Sequence, residues 1–83
     1  MQTIRHTLLG GRLAARLMVY PGELVRVPVS GQTVQVATGK AWVSVSGHDY
    51  VLCAMEHLTL PVGGEDALIS GHGPSTVVEV TGP

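Results

Sequence analysis

The sequence has no phenylalanine, one tryptophan, two tyrosines and one cysteine among 83 residues, and only 13% of its residues are charged. A single cysteine, Cys53, forms no internal disulfide, which sets the chain apart from disulfide-stapled secreted domains and makes the reducing cytoplasm the expected location. No apolar run approaches the ~20 residues that span a bilayer. The apolar pair Leu8-Leu9 is followed by Gly10-Gly11, Arg12 and Arg16, so no signal-peptide centre and no membrane association are expected. A formal net charge of −1 offers no basic field for nucleic acid. Basic residues cluster in the first quarter of the chain and the aromatics do not, so the interleaved pattern of a single-strand binder is missing. Gly10-Gly11 and Gly63-Gly64 lack the spacing and the following Lys-Ser/Thr of a phosphate loop and read as turns.

What the chain does have is valine, leucine and turn residues. Hydrophobic residues make up 45% of it, with eleven glycines and five prolines. Valine is stiff at χ1 and suits the pleated, half-buried surface of a strand. From Leu17 onward the apolar pattern has period two. Residues 17–20 lead into Pro21-Gly22, and Val25, Val27 and Val29 then alternate with Leu24, Arg26 and Pro28, with Pro28 favouring an edge position. Further strands are predicted over 33–37, 40–46, 49–53, 57–60, 67–70 and 76–80, separated by Thr38-Gly39, Ser46-Gly47, Val62-Gly63-Gly64 and Gly71-His72-Gly73-Pro74. Short strands at this spacing indicate an all-β sandwich or barrel in a single domain. The predicted core comprises Val43, Val45, Leu52, Leu58, Leu60, Val78 and Val80.

Residues 1–16 form a basic N-terminal arm. They hold Arg5, Arg12 and Arg16 and no acid, whereas residues 17–83 hold Arg26 and Lys40 against six carboxylates. Leu9, Leu13 and Leu17 recur every four residues. A short helix is therefore the first expectation for the arm, an irregular segment the second and an added edge strand the third. A basic arm on an acidic body suggests docking on its own body or on a second copy.

The stretch 39–80 resembles half of a cupin barrel: strand, glycine turn, strand, a Pro-x-Gly corner at Pro61-Val62-Gly63, then two more strands. Gly39-Lys40-Ala41-Trp42-Val43-Ser44, Gly47, Tyr50-Val51-Leu52 and the strand from Glu56 to Leu60 resemble a family of small bacterial proteins known as domain of unknown function 2917 (DUF2917). The resemblance covers residues 17–80. It implies a small cupin-like (RmlC-like jelly-roll) β-barrel or sandwich of about seven short antiparallel strands over 17–83, with no assigned activity.

The broader cupin pattern shows what is missing. Its first motif ends in a glycine, here Gly39, and wants a glutamate where Gln32 stands. Before that it wants two histidines, at Arg26 and Pro28 or, with the longer spacing, at Val25 and Val27. Its second motif keeps the Pro61-Val62-Gly63 corner but has Met55, Asp66 and Ser70 at the remaining positions. A catalytic iron, manganese or zinc ion needs several imidazole or carboxylate ligands converging at about 2.0–2.2 Å. The chain is expected to be metal-free and to use no cofactor.

The remaining candidates each have a bland reading. His57 and His72, with Glu56, Glu65 and Asp66 nearby, lack any His-x-His or His-x3-His spacing and read as loop and strand-surface residues. Cys53 and His57 suggest a nucleophile pair, yet Cys53 between Leu52 and Ala54 reads better as a small buried hydrophobe. Trp42 is out of phase with Ala41, Val43 and Val45, so it either faces outward at an interface or is the largest core residue of an inverted phase. No catalytic residue is assigned. The ligand-binding or interface candidates are Trp42, Tyr50, His57, Asp66, Arg12 and Arg16. The function expected is a non-enzymatic interaction or ligand-sensing module that forms a homodimer. The alternative is a small-molecule enzyme in a degenerate, metal-free cupin pocket, with Tyr50, His57 or Asp66 as acid/base groups.

Overall fold

Alternating valines become strands here because each can bury every second side chain against a facing layer. The computed structural model describes residues 4–9 and 12–82. Its elements are β1 (Ile4–Leu9), β2 (Arg12–Val19), β3 (Leu24–Val27), β4 (Thr33–Val45), β5 (His48–Cys53), β6 (His57–Thr59) and β7 (Ala67–Thr81). All pairings are antiparallel. The fold is all-β, as the alternation predicts.

Two long strands carry the architecture. The first half of β7 pairs with β3 and β4, and its second half pairs with β2 and β4. Strand β4 divides in the same way, its first residues pairing with β6 and its last with β5. The hydrogen-bonded sheet therefore branches into two layers, β1-β2-β7-β4-β6 and β3-β7-β4-β5, which share β4 and β7. The result is an open, sandwich-like jelly roll.

Three sequence expectations change. Residues 33–37 and 40–46 are one strand and not two: at Thr38-Gly39 the β4–β7 register shifts, and the chain bulges without reversing. Residues 67–70 and 76–80 are likewise joined within β7. Among the described residues the first-ranked helix does not form: residues 4–9 and 12–19 are antiparallel strands, and the second of them pairs with β7. The four-residue leucine spacing yields to sheet pairing, which buries Leu17 and Val19 and satisfies the backbone along the whole strand.

The buried side chains from the two layers meet in one core. Leu17, Val19, Val34, Val36 and Val78 come from one layer, and Val25, Val27, Ala41, Val43, Ala67 and Ile69 from the other. Of the predicted core, Val43, Val45, Leu52, Leu60 and Val78 are buried, while Leu58 and Val80 are half-buried and pack against it. Thr76 is the buried polar side chain among the described residues, and its hydroxyl donates to the Lys40 carbonyl at 3.1 Å. That bond satisfies a main-chain acceptor where β4 leaves its regular pairing.

The turns obey local chemistry with one exception. Ser46 and Gly47, with φ of 52° and 76°, join Val45 to its partner His48 in a two-residue hairpin of the primed type that matches strand twist. Between β5 and β6 the Glu56 amide donates to the Cys53 carbonyl, the Cys53 amide donates to Glu56 Oε1 at 2.7 Å, and Met55 sits at φ 73°. A side chain at positive φ costs ~1–2 kcal/mol, and Met55 is exposed, so its loss removes no packing. Met55→Gly should raise unfolding free energy by about 0.5 kcal/mol, the conformational gain outweighing the added freedom of the unfolded chain. Denaturant titration checks this, and a lower midpoint would show that Met55 contributes contacts.

Candidate functional site

The structure decides where the cupin motif positions point. Val25 and Val27 are buried and face the interior, whereas Arg26 and Pro28 are exposed, so the longer histidine spacing is the one that would reach inward. Gln32 is occupied by its own loop: its Nε2 donates to the Pro28 carbonyl and its Oε1 accepts from the Ser30 amide at 2.7 Å. In the second motif, Ala67 and Ile69 face inward, while Asp66 is exposed and Ser70 lies on the outer face beside Trp42. The inward positions of both motif strands are thus apolar. Among the described residues no three His, Cys, Asp or Glu side chains cluster.

The sequence-derived candidates do not converge. Tyr50 lies on the edge strand β5, where its ring and that of His48 are tilted at 6.5 Å between centroids. His57 opens β6, and Asp66 immediately precedes β7. All three are exposed, and no hydrogen bond links them among the described residues. Arg16 is committed within the chain: its Nη2 and Nε reach Glu79 Oε2 at 2.6 and 3.2 Å, across the β2–β7 pairing. Arg12 pairs with Leu9 through the backbone of the hairpin, and its side chain falls outside the described residues. Cys53 is exposed, contrary to the buried reading, because it shares the outward parity of Val51 while Leu52 takes the inward place.

Trp42 is the candidate the structure resolves most clearly. Ala41 and Val43 are buried, and Trp42 is 46% exposed on the outer face of the second layer. The strand register assembles a patch around it. One cross-strand row runs Leu24, Ser70, Trp42, Val51, and the next runs Arg26, Leu68, Ser44, Asp49. Leu24 and Val51 are 59% and 52% exposed. Leu24 and Val51 were not among the sequence-derived candidates. Alternation marks Leu24 as outward, but only the register places it in line with Trp42.

No family model and no curated protein matches the sequence. Solved structures do match it. A cupin-2 domain containing protein from Shewanella frigidimarina aligns over 98% of this chain and 79% of its own at 12% identity, with TM-score 0.74. The Cupin_2 domain of an XRE family transcriptional regulator from Enterobacter cloacae aligns over 96% and 93% at 12% identity, with TM-score 0.78. The Schizosaccharomyces pombe Cnp3 cupin domain aligns over 96% and 59% at 14% identity, with TM-score 0.79. Identities this low carry the fold, and they define the molecule as a small cupin-like jelly roll. Among the described residues no helix is long and apolar enough to cross a membrane.

Proposed function

We propose that this protein is a non-enzymatic interaction or ligand-sensing module, a metal-free cupin-like domain of the DUF2917 type acting in the cytoplasm. The observation that carries the reading is the apolar lining at the motif positions: Val25, Val27, Ala67 and Ile69 stand inward, and Gln32 is tied to its loop. Such walls offer a cation no donor and a substrate no acid or base. Two similar structures are described as domains of a transcriptional regulator and of Cnp3, so the shape occurs as one part of a larger protein. An exposed lone thiol at Cys53 suits a reducing compartment.

Elemental analysis of the purified protein after dialysis is the test. Well under ~0.1 equivalent of iron, zinc or manganese is expected, because retained binding requires a preformed set of deprotonated ligands. About one equivalent of any of them, held through dialysis, would overturn the reading.

A further inference from the structure

The outer face of β3-β7-β4-β5 carries exposed Leu24, Trp42 and Val51 in one cross-strand row, with Arg26 on one edge strand and Asp49 on the other in the next row. From these features we infer that a second copy of this chain docks there, face to face, about a two-fold axis running parallel to the strands. The inference rests on the reading of the protein as an interaction module and names its partner.

The register supplies the argument. A two-fold axis between β7 and β4, parallel to them, brings β3 of one copy over β5 of the other and β7 over β4. In the row Arg26, Leu68, Ser44, Asp49, that operation sets Arg26 against the partner's Asp49 and, by symmetry, Asp49 against the partner's Arg26. Both side chains are exposed, and the ion pair found among the described residues is a different one, Arg16–Glu79. The same operation sets Leu68 against Ser44 and Trp42 against Ser70, each large side chain meeting a small one, while Leu24 meets Val51. The strand axes of the two copies stay parallel, with facing strands opposite in sense, which is the aligned geometry in which twisted sheets pack. Exposed Leu24, Trp42 and Val51 leave the water together, and an aromatic ring supplies large contact area at low entropy cost. The reciprocal pairs fix orientation, since a slipped or reversed docking sets like charges or unmatched sizes against each other.

The test uses charge reversal in the full chain, followed by light scattering and by the emission of Trp42, the only tryptophan. The wild type is expected to show twice the chain mass at tens of micromolar concentration, with Trp42 emission shifting to the blue as concentration rises. Arg26→Asp alone and Asp49→Arg alone should each weaken self-association by about tenfold or more, because every dimer contains the altered pair twice. Mixing the two single variants should restore association, since each variant then presents the charge the other needs. Circular dichroism keeps the comparison to folded proteins, and both positions are exposed. A wild-type dimer indifferent to both reversals would place the interface elsewhere, overturning this inference while leaving the module reading in place. A monomer throughout the concentration range also overturns it. Retained metal would instead overturn the module reading, whatever the oligomeric state.

Discussion

Leu60→Ala is expected to lower the unfolding free energy by about 2–5 kcal/mol, the range for a large aliphatic side chain removed from a buried site that cannot collapse. Leu60 is 2% exposed and held by its surroundings on both sides. Its amide donates to the Gln32 carbonyl at 2.7 Å, Gly31 donates to the Pro61 carbonyl and Gly63 to that of Val29, so the backbone on either flank is pinned to residues 29–32. The cavity therefore persists in the variant. At about 0.05–0.15 kcal/mol per residue, a domain of this length has only about 4–12 kcal/mol in total, and the loss is a large share of it. Leu58→Ala is the comparison. Leu58 lies on the three-residue edge strand β6 and is half-buried, so its truncation should cost roughly 1 kcal/mol, mostly transfer. Urea titration of both variants reads the difference directly. Equal midpoints would show that the β6 segment packs differently from the arrangement described.

Gly39→Ala carries the second large effect, and two separate causes produce it. Gly39 has φ of +84°, where a Cβ costs ~1–2 kcal/mol. An added Cβ would also stand 2.5 Å from the Ser75 carbonyl oxygen and 2.9 Å from Thr76 Oγ1, the hydroxyl that caps Lys40. The carbonyl belongs to the backbone of β7 and cannot rotate away, so β4 and β7 must separate where both layers depend on them. Overpacking of this kind adds about 1–3 kcal/mol. Gly22→Ala isolates the first cause, because Gly22 has φ of +83° and nothing within 4 Å of its Cβ direction. Gly39→Ala should be clearly the more damaging of the two in thermal or denaturant unfolding. If the two variants unfold alike, the close approach of β4 to β7 relaxes at little cost.

The comparison of Gly39 with Gly22 also shows how far residue pattern reaches. Both read as turn glycines, and only one is a turn. Pro21-Gly22 forms a tight turn closed by the Glu23 amide donating to the Tyr20 carbonyl. It breaks the chain between β2 and β3, which follow one another along β7 in the same direction. Gly39 instead sits inside a thirteen-residue strand that changes partners at that point. At both positions the backbone takes a positive φ that glycine adopts at no steric cost, so the same residue marks both, and whether the ladder continues through it depends on pairing with distant strands. The stretch Gly71-His72-Gly73-Pro74 misreads as a break for the same reason. Leucine spacing in the arm is equally mute: Leu9, Leu13 and Leu17 fit a helix, yet Leu17 is buried in β2 because β7 offers its backbone a ladder.

The candidate site was legible in part. Missing ligands at Val25, Val27 and Gln32 were readable as letters, since imidazole and carboxylate chemistry depends on residue type. That Val25 and Val27 point inward while Arg26 and Pro28 point out needed the facing layer, as did the outward turn of Asp66 and Ser70. Cys53 was misplaced because neighbouring apolar residues say nothing about parity, and in a strand parity alone decides which face a side chain takes.

By itself, then, the sequence determined what is local: strand propensity, the period-two alternation of Val25 to Val29, the Ser46-Gly47 hairpin, and the loss of metal-binding residue types. The tertiary structure decided what is not local: the joining of four predicted strands into β4 and β7, the pairing of β2, the outward face of Trp42 and the alignment of Leu24, Arg26, Val51 and Asp49 around it. The division follows from distance along the chain. Propensity and turn chemistry act over a few residues, whereas Arg26 and Asp49 reach one row only through β7 and β4, by hydrogen bonds whose register belongs to the assembled sheet.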